Sequence, residues 1–143
     1  MLVVVDCNRV ISSLLTKGKI FTVFLLNSVV KKLEFVAPEY LFFEIVKNFD
    51  VILSKIKLDK EELAEVFSFL KEHIGPVPFK EFNKYAEEAK ELAPHDKDLQ
   101  YFALALASKS GIWSDEDRFR EQDKIKIFSR DKLLSMLFSS IFE

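Results

Sequence analysis

Leu2 to Val5 form an unbroken apolar, largely β-branched run that is too short for a helix. Such a run reads as a strand buried on both faces, and it stops abruptly at Asp6. Burial on both faces points to helices covering a parallel sheet, and the remaining pattern agrees. Residues 9–15 and 19–30 carry apolar positions at helical spacing, separated by Lys17 and Gly18. Leu33 to Val36 is a second short strand closed by Pro38, and a helix starting near Pro38 carries Tyr40, Leu41, Phe43, Glu44 and Val46. Asp59 and Glu62 form a capping box for a helix with a stripe of Leu63, Val66, Phe67 and Leu70, ended by Gly75. Pro76 to Phe79 reads as an edge strand, where proline is tolerated. From Lys80 the spacing of Phe82, Tyr85, Ala86, Ala89 and Leu92 predicts a helix up to Pro94. Asp98 opens a strongly apolar helix through Tyr101, Leu104, Ala105 and Ala107. Ile112 and Trp113 make a brief strand, Ser114 to Asp117 an acidic turn, Ile125 to Phe128 a last strand, and a helix follows from Asp131. Strands alternating with helices predict an α/β fold, a three-layer α/β/α sandwich with a mainly parallel sheet of four to five short strands.

The chain's 143 residues suit a single domain over residues 1–143. One cysteine cannot make an internal disulfide, and the absence of a signal-peptide pattern makes a reducing, cytoplasmic setting the expectation. No apolar run approaches the ~18 residues of a membrane span, so no membrane partner is expected. With only 3 Gly and 4 Pro against 15 Phe, little of the chain is expected to be loop, and the phenylalanines read as core. The net charge of -2 offers nucleic acid no general attraction, but it is unevenly spread. Residues 1–58 hold five acids against eight Lys and Arg, whereas residues 59–98 hold eleven acids against six bases. The surplus of Arg9, Lys17, Lys19, Lys31 and Lys32 forms a candidate polyanion-facing rim.

In open α/β sheets ligands bind beyond the carboxyl ends of the strands, so polar residues directly after strands are the ones to weigh. Asp6 and the Asp115, Glu116, Asp117 cluster both qualify. Glu44 sits among Leu41, Phe42, Phe43, Ile45 and Val46, where an unpaired carboxylate is costly to bury. Each has a structural reading as well. Asp98 suits a helix-dipole partner, Glu44 the solvent edge of its stripe, and the acidic turn a helix start capped by Ser114. Four carboxylates brought together without bases would repel, and a hard cation, Mg²⁺ or Mn²⁺, is the usual compensation. Zinc is disfavoured, because His73 and His95 are far apart and lack cysteine companions. His73 reads as a helix C-terminal residue, His95 as a neighbour of Asp98, and Cys7 as a small buried residue. Neither a Gly-rich phosphate loop nor a nucleophilic Ser motif is present.

Four blocks together resemble the PIN-domain family of small metal-dependent ribonucleases, of archaeal and bacterial type. They are Val3-Val4-Val5-Asp6-Cys7-Asn8 with the helix after it, Val36 to Ile45 around Glu44, Asp98 to Leu106, and Ile112 to Phe119. No block is specific alone; their order and spacing are. The family usually carries Asp three residues before the phenylalanine of the last block, and here that residue is Glu116, so the fourth acid stays open among Asp115, Glu116 and Asp117. The resemblance implies that Asp6, Glu44, Asp98 and one of these hold one or two Mg²⁺ or Mn²⁺ ions and hydrolyse phosphodiester bonds of single-stranded RNA. Asn8 and Ser114 would then fix carboxylate rotamers, and Arg9 and Lys17 would contact phosphates. The family includes toxins paired with an antitoxin protein, and homodimers, so both partners are expectations of the resemblance. A PIN-like RNA- or protein-binding module without catalysis is the alternative. A phospho-accepting role for Asp6 is opposed by Asn8, which stands where a second acid would be needed.

Overall fold

The computed structural model describes residues 1–6 and 19–143. The strands are β1 (Leu2–Val5), β2 (Glu34–Pro38), β3 (Ile74–Val77), β4 (Gly111–Trp113) and β5 (Ile127–Phe128). The helices are α1 (Lys19–Val30), α2 (Tyr40–Lys47), α3 (Phe49–Lys55), α4 (Lys60–His73), α5 (Ala86–Leu92), α6 (Leu99–Ser108) and α7 (Arg130–Ile141). All neighbouring strands pair in parallel, in the order β3-β2-β1-β4-β5. β1 is therefore central, which is why Val3, Val4 and Val5 are fully buried. Successive strands step outward on one side of β1, and the chain then returns to place β4 on its other side. In such sheets a reversal of this kind opens a crevice beyond the carboxyl ends of the strands, here those of β1 and β4, and that is the usual ligand position.

Parallel register puts Val3 beside Phe35 and Val5 beside Trp113, so these four share one face of the sheet. Phe24 of α1 covers that face, with ring centroids 5.1 Å from Phe35 and 5.4 Å from Trp113. α1 also packs on α7, while α6 lies against β1, β2 and β4 and buries Tyr101, Phe102 and Ala103. Together these give the expected α/β sandwich with a five-stranded parallel sheet. Seven of the 15 phenylalanines are buried in the core, and Phe43, Phe79, Phe138 and Phe142 are exposed. Among the described residues no helix is long and apolar enough to cross a membrane.

Local chemistry explains most of the element ends. The Asp59 carboxylate accepts from the Glu62 N–H at 2.8 Å while Glu62 accepts from the Asp59 N–H at 3.2 Å, the expected capping box of α4. Ser129 caps α7, accepting from the Lys132 N–H. Several boundaries differ from the sequence pattern. Helix α3 was not expected; the chain turns at Asn48, whose side chain donates back to the Glu44 carbonyl, and a second short helix with no buried residue follows. β3 starts at Ile74 directly from the end of α4, so Gly75 lies within the edge strand, which Pro76 pairs to Ala37, instead of ending the helix. The helix expected from Lys80 is two 3₁₀ turns, Phe79–Glu81 and Asn83–Tyr85, before α5, because the fully buried Phe82 ties the backbone down. β5 is only two residues long because the Gln122 side chain clamps residues 119–125, donating to Phe119 and Ile125 carbonyls and accepting from the Lys124 and Ile125 N–H groups. The helix expected over residues 9–15 lies outside the described residues.

One glycine is demanded by close approach. A Cβ on Gly111 would sit 2.5 Å from the Phe128 ring and 2.7 Å from the Lys126 carbonyl oxygen. Gly111→Ala is expected to push β5 from β4 and cost about 1–3 kcal/mol in urea unfolding. An unchanged midpoint would contradict this packing. Two lysines, Lys31 (φ 56°) and Lys109 (φ 53°), hold left-handed backbone just past helix ends, where glycine is the usual occupant and a side chain costs of order 1 kcal/mol.

Candidate functional site

β1 delivers Asp6 into the crevice. Its backbone N–H donates to the Trp113 carbonyl at 3.0 Å, continuing the β1–β4 ladder by one residue. Its carboxylate is 3 % exposed and accepts from the Ser114 hydroxyl at 2.8 Å. The same hydroxyl oxygen accepts from the Glu116 N–H at 3.1 Å. Ser114, itself buried, therefore links Asp6 to the turn after β4 and fixes where Glu116 stands.

The third acid arrives from another direction. Asp98 is the N-cap residue of α6, yet its side chain makes no capping hydrogen bond. Burial raises its carboxyl above the ordinary carboxylate range and the Glu116 charge pushes the same way, whereas His95, Arg118 and Lys97 oppose the rise. Asp98 and Glu116 are thus electrostatic neighbours. Asp115 is turned elsewhere: it accepts from the Arg130 N–H at 3.1 Å and anchors the start of α7. Asp117 is exposed and begins a 3₁₀ turn, Asp117–Glu121. Of the three acids in this turn, Glu116 is the one coupled to Asp98.

Glu44 is half-buried on α2 and is engaged by its own helix. The Asn48 amide donates to its carboxylate at 3.2 Å, and a hydrogen bond to Glu44 is the main cause of a raised Tyr40 phenol. These partners lie four residues either side of Glu44, so i,i+4 spacing was the signal that would have found them. Sequence reasoning also missed Arg118, a cation two residues past Glu116 that acts on Asp98 and donates to the Pro94 carbonyl. His95 is an electrostatic neighbour of Asp98 and its Nδ1 accepts from the Lys97 N–H. Cys7, Asn8, Arg9 and Lys17 lie outside the described residues. Among the described residues no three His, Cys, Asp or Glu side chains are close enough to hold a metal ion. The donor set nevertheless fits a hard divalent cation in kind, because it is all oxygen and holds two carboxylates whose mutual repulsion such an ion relieves.

A family model described as PIN domain matches residues 4–129. The chain belongs to the PIN-domain family. No curated protein and no solved structure matches it. PIN domains are generally nucleases and typically use divalent metals.

Asp98 offers a pH test of this electrostatic arrangement. A raised carboxyl favours the folded state when protonated, so that stabilisation is full below its ordinary pKa of about 4 and is lost as pH rises through the raised value. Asp98→Asn is therefore expected to be the more stable protein at neutral pH in EDTA, by less than about 1 kcal/mol because the charge is partly solvated. The difference should shrink toward zero in acid when denaturant midpoints are compared across pH. A variant less stable than the parent at neutral pH would contradict the repulsion.

Proposed function

We propose that this PIN-domain protein is a metal-dependent ribonuclease that hydrolyses phosphodiester bonds of single-stranded RNA. The observation that carries the reading is the Ser114 hydroxyl, which joins the buried Asp6 carboxylate to the turn carrying Glu116 beside Asp98. Asp6, Asp98 and Glu116 would hold Mg²⁺ or Mn²⁺ by closing in around the ion from their separate positions, with Glu44 joining from α2. Bound there, such an ion activates water and stabilises charge on the leaving oxygen. Ser114 holds the Asp6 rotamer, and Arg118 is the cation placed to meet a phosphate. A preference for single strands is supported by Tyr40 and Phe43, which are 51 % and 64 % exposed on the helix of Glu44 and offer rings for unpaired bases. A toxin role extends the same reading, since an antitoxin protein seated in the crevice would silence it.

Glu116, standing where the family usually carries Asp, favours a second reading, a PIN-like binding module without catalysis. An end-labelled unstructured RNA incubated with the protein and Mn²⁺, or with EDTA, separates them. The ribonuclease reading predicts fragments in Mn²⁺ alone. Intact RNA that is still retained by the protein in a filter assay would support the module.

A further inference from the structure

At the opposite edge of the sheet, about 13 Å away along strands of four residues, the starts of β1 and β4 border an open groove of about 680 Å³. Its size falls in the range of small-molecule sites. Leu2, Leu106 and Ile125 give it an apolar wall, and Lys109, Lys124 and Lys126 its charged rim; among the described residues no acidic side chain lines it. Lys124 is paired with Glu88, whereas among the described residues neither Lys109 nor Lys126 has an ion-pair partner. Lys126 instead lies over the Phe128 ring at 5.2 Å. Ser108 and Ser110 also line the groove, with hydroxyl oxygens 2.8 Å apart. The Ser108 hydroxyl donates to the Leu104 carbonyl, so the Ser110 hydroxyl either donates to Ser108 or turns to donate to an anion.

We infer that this groove binds a nucleoside phosphate, with the phosphate between Lys109 and Lys126 and the nucleoside against the apolar wall. A phosphate monoester carries close to two negative charges at neutral pH, which matches two unpaired lysines and a hydroxyl donor better than a single carboxylate does. Lys109 is the more telling residue. It occupies left-handed backbone at the end of α6, where glycine is the favoured residue, so the chain keeps a cation at the groove's mouth against its backbone preference. The α6 C-terminal dipole opposes an anion here, and Lys109 also offsets that. The site is independent of the carboxylate crevice and goes beyond the proposed nuclease activity.

The same chemistry is presented by a free mononucleotide and by the phosphorylated end of a strand. Calorimetric titration of the whole chain in EDTA separates these sources, using adenosine 5′-monophosphate, inorganic phosphate, and a short oligoribonucleotide with and without its 5′-phosphate. The inference predicts binding of the mononucleotide that is tighter than that of inorganic phosphate. Phosphate-dependent binding of the oligonucleotide would add strand ends as a source. Lys109→Gly and Lys126→Gln should each weaken binding about tenfold. Lys109→Gly should unfold within a few degrees of the parent, since relief of backbone strain offsets the lost dipole contact, which separates a binding role from a structural one. Absence of binding by every probe, equal binding of phosphate and mononucleotide, or affinities unchanged in both variants would overturn it. Running without divalent metal keeps this result separate from the fate of the nuclease reading.

Discussion

Asp6→Asn is expected to lower Mn²⁺-dependent cleavage of single-stranded RNA by at least about 10²-fold while leaving the fold intact. The magnitude follows from position. Asp6 is buried where the sheet order reverses, and its carboxylate is tied through Ser114 to the acid that neighbours Asp98. Asparagine keeps the size and an oxygen that accepts the Ser114 hydroxyl, but removes the charge that a divalent cation needs. A neutral side chain of the same shape avoids the cost of burying a carboxylate, so folding is not threatened. Gel-resolved cleavage rates for the two proteins, with unfolding curves alongside, check both halves. Parent-like cleavage by the variant would remove Asp6 from the chemistry.

Phe24→Ala carries the largest expected effect on stability, about 3–5 kcal/mol. Phe24 is fully buried and meets four rings, Phe35, Phe69, His73 and Trp113, at centroid distances of 5.1, 5.8, 5.8 and 5.4 Å. It thus helps join α1 and α4 to the sheet. Against a total stability of about 5–15 kcal/mol, that loss leaves a marginal protein whose melting point falls by roughly 10–20 °C. Trp113 directly precedes Ser114, so the cavity also loosens the strand end that sets the crevice. A loss below about 1 kcal/mol in denaturant unfolding would show that the neighbouring rings close the cavity.

The central strand was legible in the sequence because a strand buried on both faces cannot alternate: Val3-Val4-Val5 announce themselves by continuity, and the strand expected over Leu33 to Val36 lies one residue later at its start and runs on to Pro38. Capping chemistry was legible for the same local reason, as at Asp59 and Glu62. What the pattern missed was decided by side chains folding back on the backbone. Gln122 shortened β5 and Asn48 split one helix into two, and neither residue interrupts hydrophobic periodicity. In the crevice, position after a strand was enough to single out Asp6. Choosing among Asp115, Glu116 and Asp117 was not possible from spacing, because consecutive turn residues point in different directions. Only the Arg130 N–H that Asp115 accepts, and the charge coupling of Glu116 to Asp98, separate them. Arg118 was invisible for a related reason: it is an ordinary surface arginine until α6 and the turn after β4 are brought together.

A divalent cation that draws in the Asp6, Asp98 and Glu116 carboxylates, as the proposed chemistry requires, is detected by calorimetric titration of the whole chain with Mn²⁺, beside Glu116→Gln. Saturable binding is expected below millimolar metal, with an affinity at least about tenfold weaker in the variant. No heat of binding up to millimolar Mn²⁺, or identical isotherms for the two proteins, would contradict it.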